Sequence, residues 1–390
     1  MTDRYDIVII GGGIHGAGVA QAAACHGYSV LLLEQRALAS GSSSRSTKLI
    51  HGGLRYLEGH YFGLVRESLR ERDILLRIAP ELVRLQPFHI PVYPSTNRRP
   101  TSLRAGLWLY ALLDGLGHNS RFAVLPRQEW AALDGLETAQ LQTVFRYHDA
   151  QTDDVALTRA VMQSAIAHGA ELACPAGFSA ACITPAGCDI SYRVDAAERH
   201  CTARVMVNAA GPWAGQVDAL IDPRPTPLAV DLVQGAHLVM QEALRAGCYY
   251  VEAPQDRRAV FLLPWGEHAL LGTTEHHYSG DPGQVQVLPE EVDYLLTVQQ
   301  HYFPQRSSAV VEQFAGLRVL PTGDRAAFGR SREIRLPVDN AHKPRVLSIY
   351  GGKLTGYRAT ADKVIRTLQG SLPARTPRAD TATLALVPAD

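Results

Sequence analysis

The first 34 residues constrain the fold most, because a strand, a glycine-rich turn, an alanine-rich helix and a second strand follow one another there. Residues 5–10 read YDIVII, a β-branched strand, and Gly11, Gly13 and Gly16 then fit the pattern G-x-G-x-x-G. The second strand ends at Glu34, 23 residues beyond Gly11. Such glycines let the backbone approach a pyrophosphate at a helix N-terminus, and the acid can accept from ribose hydroxyls. The unit predicts a dinucleotide-binding α/β domain.

The segment that follows Glu34 favours FAD among the dinucleotides. A glutamate at this position disfavours a 2′-phosphate and makes NADP a poor fit, whereas the glycine pattern suits NAD and FAD alike. A nicotinamide-binding domain usually continues with regular strand and helix alternation. Here a polar loop and a long amphipathic helix follow instead. We therefore predict a flavoprotein.

The polar loop, residues 41–59, reads GSSSRSTKLIHGGLRYLEG and concentrates hydroxyl groups and cations. Serine and glycine are ordinary loop residues, so a surface loop would account for them. It would not account for Lys48, His51 and Arg55, which are spaced around a Gly-Gly pair. The loop is therefore a candidate binding segment.

A second strand–glycine–helix junction lies near the other end of the chain. Residues 345–368 read RVLSIYGGKLTGYRATADKVIRTL, where a strand runs into Gly351 and Gly352 and a helix starts near Thr355. The amides of this junction could hold a flavin pyrimidine or a ribityl oxygen. A further strand, in CTARVMVNAAGPWAG, ends at an Ala-Ala-Gly turn that includes Gly211.

Length and composition exclude other classes of function. A chain of 390 residues is too long for one ordinary core, so we expect two domains. The net formal charge is zero, which argues against a nucleic-acid partner. The six cysteines form no C-x-x-C pair, and no carboxylate or cysteine set accompanies His276 and His277. We therefore predict reduced thiols and no metal site.

The sequence predicts a cytoplasmic protein. The chain opens directly on a strand without a signal peptide, and no apolar run approaches the ~18 residues needed to span a bilayer. The nearest membrane candidate is AGLWLYALLDGLG, residues 105–117, which we predict to be a buried helix in a small core. Peripheral contact with the inner membrane is the alternative.

The chain resembles the FAD-dependent, quinone-linked glycerol-3-phosphate dehydrogenases, on a D-amino-acid-oxidase-like flavoprotein fold. The matching motifs are IGGGIHGAG, SSSRSTKLIHGGLRYLE, VNAAGPW, LLPWGEHALLGTTE, GLRVLP and SIYGGKLTGYR. They occur in the family's order and cover nearly the whole chain. KLIHGGLRYLE and GGKLTGYR are the specific pieces, whereas the glycine triplet is not.

The resemblance implies an α/β fold, with a Rossmann-like FAD-binding domain and an inserted antiparallel-sheet substrate domain. We assign residues 1–90, 145–215 and 320–390 to the first and residues 91–144 and 216–319 to the second. Since the chain stops at Asp390, we expect the family's helical C-terminal domain to be absent.

The resemblance also implies which residues hold FAD, which this family binds noncovalently. In that family the serine-rich loop lies along the cofactor's phosphate and ribityl portion, and KLIHGG passes beside the flavin. The residues expected on the cofactor side are Gly11, Gly13, Gly16, Glu34, Ser43, Ser44, Ser46, Thr47, Lys48, His51, Gly211, Gly351, Gly352, Leu354 and Thr355.

The expected substrate side combines cations with one histidine. The anchors for a phosphorylated polyol are Arg55, Tyr56, Arg332 and Lys353, because a guanidinium fork can bond two phosphate oxygens at once. His237 is the candidate base, since an imidazole titrates near neutrality, and Arg318 would stabilise charge. The alternative for His237 is a hydrogen-bonded core histidine, and the alternative for the cations is a set of structural salt bridges. For Arg332 the salt bridge and the substrate role have equal support.

One departure from the family concerns the substrate. Gln234 stands where the family commonly has a lysine, and one cation fewer near the pocket leaves the substrate less defined. The predicted activity is oxidation of glycerol 3-phosphate to dihydroxyacetone phosphate, with electrons passed to a quinone or another acceptor. The alternatives are an amine, amino-acid or 2-hydroxy-acid oxidase on the same fold, and a non-catalytic flavoprotein.

Overall fold

A computed structural model describes residues 3–322 and 334–389. The strands in these ranges are β1 (Asp3–Ile10), β2 (Val30–Leu33), β3 (Leu49–Ile50), β4 (Val83–Val92), β5 (Ala123–Val124), β6 (Thr143–Thr152), β7 (Ala170–Ala173), β8 (Gly177–Thr184), β9 (Gly187–Val194), β10 (Ala197–Asn208), β11 (Ile221–Asp222), β12 (Val230–Met240), β13 (Cys248–Glu252), β14 (Ala259–Trp265), β15 (His268–Gly272), β16 (His276–Tyr278), β17 (Val310–Pro321) and β18 (Val346–Ser348). The helices are α1 (Ile14–Cys25), α2 (Phe62–Ile78), α3 (Pro100–Leu113), α4 (Asp154–Ala167), α5 (Ala214–Asp218), α6 (Pro289–Tyr302) and α7 (Tyr357–Leu368).

The first sheet has a parallel centre. Its order is β11-β8-β9-β10-β1-β2-β7, and β18 also pairs with β10. The long strand β10 pairs antiparallel with β9 through its first half and parallel with β1 and β18 through its second. The carboxyl ends of β1, β2, β10 and β18 therefore meet at one edge, where α/β sheets bind their ligands.

Helices α1, α4 and α7 cover one face of this sheet. Ile7 and Ile9 of β1 pack against them, whereas Val8 and Ile10 join a separate core on the other face. Burial on both faces explains why β1 reads as a continuous apolar run. A Cβ on Gly18 would lie 2.7 Å from the ring of Tyr357, so the glycine permits the close contact of α1 with α7.

The second sheet is antiparallel except for the parallel pair of β4 and β13. Its order is β16-β12-β15-β14-β13-β4-β6-β3, with β17 on β12 and β5 on β6. Helix α6 packs on one face, and α2 and α3 pack on the other. The predicted fold class, a Rossmann-like domain combined with an antiparallel sheet, is thus confirmed.

Sheet membership does not follow the expected domain boundaries at residues 90 and 145. Strands β4 and β6 lie across these boundaries, and both belong wholly to the second sheet. All ten residues of β4 pair with the ten residues of β6, from Val83 opposite Thr152 to Val92 opposite Thr143.

The predicted burial of residues 105–117 is wrong for one face of the helix. Leu107 and Tyr110 of α3 are buried, but Trp108 and Leu112 are 59% and 61% exposed. Among the described helices, none is long and apolar enough to cross a membrane.

Candidate active site

A cavity of about 410 Å³ lies at the carboxyl edge of the first sheet and reaches the second. Its walls come from the glycine turn after β1, the end of β2, the serine-rich loop, the turn after β10, strands β12 and β17, and the glycine junction after β18. The fold therefore brings segments from both ends of the chain to one site.

The glycine turn fits closely under the neighbouring strand end. Gly11 has φ +107°, and a Cβ there would lie 2.7 Å from the carbonyl oxygen of Ala209. A Cβ on Gly16 would collide with the carbonyl oxygen of Gly11. Both positions therefore require glycine, and the turn leaves its backbone open to the cavity.

Glu34 holds the turn from the end of β2. Its Oε2 accepts from the Gly12 amide at 2.7 Å, and its Oε1 accepts from the Arg36 amide at 2.8 Å. The side chain is buried but lines the cavity. A carboxylate has about four lone-pair sites, so acceptor capacity remains for ribose hydroxyls.

The serine-rich loop is fastened to helix α4 by a buried ion pair. Lys48 Nζ donates to Asp154 Oδ1 at 2.6 Å, and the two side chains are 6% and 0% exposed. The Ser46 amide and hydroxyl donate to Asp154 Oδ2 at 3.1 and 2.6 Å. Lys48 Nζ also donates to the Ser44 carbonyl at 2.6 Å. Lys48 therefore holds the loop and does not face the cavity.

His237 lies on β12 with its ring parallel to that of Phe314, the centroids being 5.0 Å apart. Its Nε2 is 2.9 Å from Thr47 Oγ1, while its buried Nδ1 makes no hydrogen bond within the described residues. Burial, together with the positive charges of Arg318 and Lys48, lowers the pKa of His237 to about 3. The imidazole is therefore neutral at physiological pH.

Arg318 reaches the cavity from β17, the neighbour of β12. Its Nη1 donates to Glu275 Oε1 at 2.8 Å, and its Nη2 donates to Thr273 Oγ1 at 3.0 Å. A Cβ on Gly235 would lie 2.6 Å from Nη2. The missing side chain on β12 therefore makes room for the guanidinium.

A second group of cations surrounds Tyr56. Lys353 Nζ lies 3.9 Å from the centroid of the Tyr56 ring, and Arg55 Cζ lies 5.0 Å from it. Arg55 Nη2 also donates to the Tyr56 hydroxyl at 3.3 Å. Lys353 lines the cavity, whereas Arg55 and Tyr56 are not lining residues and connect to it through the contact of Lys353 with the Tyr56 ring. The pair brings two positive charges to one aromatic ring.

The C-terminal glycine junction contacts the N-terminal one through His15. Gly351 and Gly352 have φ values of +79° and +94°, and a Cβ on Gly352 would collide with His15 Nε2. Burial lowers the pKa of His15 to about 4, and its Nδ1 is buried without a hydrogen-bond partner in the described ranges. Thr355 Oγ1 accepts from the His51 amide at 3.1 Å, which joins the junction to the serine-rich loop.

These features fit an extended dinucleotide. Glycine positions leave backbone exposed where any side chain would collide, and a buried acid lies at the end of β2. The buried nitrogens of His15 and His237 need polar partners that the described protein residues do not supply. Phe178 and Leu220 add apolar wall on which a base could pack.

Comparison with known proteins decides the family. A sequence model described as FAD dependent oxidoreductase (DAO) matches residues 6–358. A glycerol-3-phosphate dehydrogenase of Pseudomonas aeruginosa is 36% identical over 377 residues, which cover 95% of this chain and 72% of the relative. The chain belongs to the FAD-dependent oxidoreductase family.

Two further relatives narrow the class. The D-erythritol 1-phosphate dehydrogenase of Brucella abortus is 34% identical over 95% of this chain and 75% of its own. The crystal structure of the glycerol-3-phosphate dehydrogenase from Bacillus halodurans complexed with FAD superimposes with a TM-score of 0.75 and 26% identity. That alignment covers 98% of this chain and 68% of the other. The chain is an FAD-dependent, glycerol-3-phosphate dehydrogenase-like oxidoreductase, and FAD is its cofactor.

The structure brings most of the sequence-predicted residues to this one cavity. The residues that line it are Gly11, Gly13, Glu34, Ser43, Ser46, Thr47, His51, Gly211, His237, Arg318, Gly351, Gly352, Lys353, Leu354 and Thr355. Gly16, Ser44, Lys48, Arg55 and Tyr56 are not among the lining residues. Arg332 lies outside the described residues. His15, Asp154, Gly235 and Glu275 were not predicted, because each acts on a partner far away in the sequence.

Gln234 does not face the cavity, so the expected loss of a cation from the pocket is wrong. Its Nε2 donates to Glu291 Oε2 at 2.5 Å and to the Gln286 carbonyl at 2.8 Å, on the side of helix α6. Gly235 and His237 occupy the cavity face of β12, and residues alternate between the two faces of a strand.

Proposed function

We propose that the enzyme oxidises sn-glycerol 3-phosphate to dihydroxyacetone phosphate, with FAD held noncovalently in the cavity and electrons passed to a quinone or another acceptor. When bound, FAD supplies the hydride acceptor for the carbinol carbon. The observation that carries the proposal is the convergence of Arg55 and Lys353 on Tyr56, with Lys353 lining the same cavity as a neutral histidine and Arg318.

Arg55 and Lys353 would bind the phosphate. Both cations lie against the Tyr56 ring, and Lys353 lines the same cavity as His237 and Arg318. A dianionic phosphate would compensate two positive charges, whereas the hydroxyls of glycerol would compensate none. Charge-assisted hydrogen bonds contribute about 1.5–3 kcal/mol each, so the phosphate group should dominate substrate capture.

His237 would accept the hydroxyl proton at a ring nitrogen. Thr47 Oγ1 contacts Nε2 and would orient the ring, while Nδ1 is the nitrogen without a hydrogen-bond partner among residues 3–322 and 334–389. The pKa of about 3 ensures that the imidazole is unprotonated before substrate binds. A substrate dianion in the same cavity would offset the positive field of Arg318 and Lys48 and so favour proton uptake.

Arg318 would stabilise negative charge on the substrate oxygen as its proton leaves. A guanidinium does not lose its proton at physiological pH, so it cannot serve as the base. Its N–H groups are fixed by Glu275 and Thr273, and donors that need no reorganisation stabilise developing charge most effectively.

The test is turnover of glycerol 3-phosphate and glycerol with an artificial electron acceptor. We expect glycerol to be a very poor substrate, and Arg55→Ala to weaken capture of the phosphate ester roughly ten- to hundredfold. Arg70→Ala, which removes an exposed arginine of α2, is the matched control and should change little. Comparable turnover of the two polyols would contradict the proposal, and better turnover of an amino acid would favour the oxidase alternative.

We also propose peripheral membrane contact through the outer face of α3. Trp108, Leu112 and Leu116 are 59%, 61% and 56% exposed, and Arg104 and Arg121 are exposed nearby. Apolar side chains flanked by arginines suit the interface of an anionic bilayer, where a quinone acceptor would also reside.

Sedimentation with vesicles tests this contact. The protein should pellet with anionic vesicles more than with zwitterionic ones, and the double variant Trp108→Ser, Leu112→Ser should remain in the supernatant. Ile166→Ser, at an apolar residue of α4 that is 39% exposed, is the control. Equal pelleting of the double variant and the wild type would contradict the assignment to α3.

A further inference from the structure

Glu275 is a nearly buried carboxylate between β15 and β16, in contact with the arginine that reaches the cavity. Its side chain is 9% exposed, and its Oε1 accepts from Arg318 Nη1 at 2.8 Å. Burial strengthens this contact, because little solvent screens the charges. Nothing in the proposed reaction uses Glu275 directly, since the residue does not line the cavity.

A second arginine near Glu275 has its own carboxylate. Arg258 Nη1 lies 3.9 Å from Glu275 Oε2, whereas Arg258 Nε donates to Asp256 Oδ2 at 2.6 Å. Asp256 also accepts from the Tyr294 hydroxyl at 2.9 Å. Arg258 is therefore compensated by Asp256, and the closest ionic partner of Glu275 is Arg318.

Three consecutive residues hold the Arg318 guanidinium. Its Nη2 donates to Thr273 Oγ1 at 3.0 Å and to the Thr274 carbonyl at 3.3 Å, and its Nη1 donates to Glu275. Gly235 closes the other side, since a Cβ there would lie 2.6 Å from Nη2. These contacts thus fix both the position of the guanidinium and the orientation of its N–H groups.

We propose that Glu275 is a positioning residue that fixes the donors of Arg318 for the chemical step and limits the attraction of Arg318 for anions in the ground state. The inference rests on the proposed function, in which Arg318 stabilises charge on the substrate oxygen. A paired guanidinium has little net charge to offer a resting dianion, but its oriented N–H groups still meet charge that develops during the reaction.

The two parts of this role predict opposite effects in Glu275→Gln, which keeps the shape and an acceptor oxygen but removes the charge. The rate constant of anaerobic flavin reduction by glycerol 3-phosphate should fall about ten- to hundredfold, because the ion pair that fixes the guanidinium is replaced by a weaker hydrogen bond to a neutral amide oxygen. Inorganic phosphate, titrated against the flavin absorbance of the holoenzyme, should bind about tenfold more tightly, because the Glu275 charge no longer offsets those of Arg318 and Arg55.

Asp256→Asn is the matched control, since it removes a carboxylate that pairs with Arg258. Its reduction rate and phosphate affinity should stay within about threefold of the wild type. FAD content and melting temperature are measured for both variants, and neither should change in Glu275→Gln by more than in the control. Glu275→Asp should recover part of the lost rate.

Each outcome decides the inference. Slower reduction with tighter phosphate binding supports it. An unchanged reduction rate overturns it, and so does a joint loss of rate, phosphate affinity and FAD content, which indicates a structural role. If the wild type does not oxidise glycerol 3-phosphate, the proposed function fails. The phosphate titration still tests the inference in that case, because unchanged or weaker phosphate binding by Glu275→Gln would show that Glu275 does not limit the attraction of Arg318 for anions.

Discussion

The buried pair of Lys48 and Asp154 tests how the serine-rich loop is held. The charged atoms are 2.6 Å apart, and the two side chains are 6% and 0% exposed. Lys48→Met would leave the carboxylate in a dry environment with only the Ser46 donors. Removing one partner of a buried pair costs about 3–5 kcal/mol, whereas an exposed pair contributes at most about 1 kcal/mol. We expect the larger loss.

The double variant Lys48→Met, Asp154→Asn supplies the internal comparison. Because it removes both charges, it should lose at least about 2 kcal/mol less than the sum of the single variants. Urea unfolding with saturating FAD, followed by circular dichroism, gives these free energies, and fluorescence quenching gives the FAD affinity. We expect Lys48→Met to retain FAD affinity within about tenfold. Unchanged stability with a more than hundredfold loss of FAD affinity would refute the pairing and place Lys48 at the cofactor, as the sequence alone suggested.

Three other predictions concern histidines and a glycine. His237→Ala should lower the rate of flavin reduction ~100- to 10,000-fold with little change in substrate affinity, as measured by stopped-flow absorbance; an unchanged rate would make His237 a core residue. Gly235→Ala should displace the Arg318 guanidinium, since the new Cβ would lie 2.6 Å from Nη2; turnover should fall about tenfold or more at normal FAD content, and normal turnover would contradict the close fit. Burial lowers the pKa of His89 to about 4, so the unfolded chain binds a proton between pH 6.5 and 4 that the folded protein does not. The free energy of unfolding should therefore decrease as the pH is lowered from 6.5 to 4, by about 2–3 kcal/mol more in the wild type than in His89→Gln. Urea unfolding of both proteins at pH 7 and pH 4.5 measures this, and an equal shift of the two midpoints would exclude His89 as the cause.

The residues that the sequence located correctly depend on short-range patterns. The strand before Gly11, the alanine-rich helix and the acid at the end of the second strand lie within one local unit, so periodicity and spacing suffice. The same holds for α6, which begins at Pro289, because proline suits the first position of a helix. Local propensity and tertiary structure agree at these positions.

The remaining features depend on contacts between distant parts of the chain. Asp154 is 106 residues from Lys48, and Glu275 is 43 residues from Arg318, so no local pattern announces either pair. Gln234 is different, since strand alternation already puts it and His237, three residues apart, on opposite faces. The exposed face of α3 was missed because the apolar sequence pattern of a helix is the same whether protein or another surface covers it.

The most direct test of the central claim is anaerobic mixing of the holoenzyme with single substrates while the oxidised flavin absorbance is recorded. The panel contains glycerol 3-phosphate, glycerol, a longer polyol phosphate and several amino acids. The structure and the chain's relatives lead us to expect rapid bleaching by a phosphorylated polyol and very slow bleaching by glycerol. Bleaching by an amino acid, or by glycerol as fast as by its phosphate, would contradict the account.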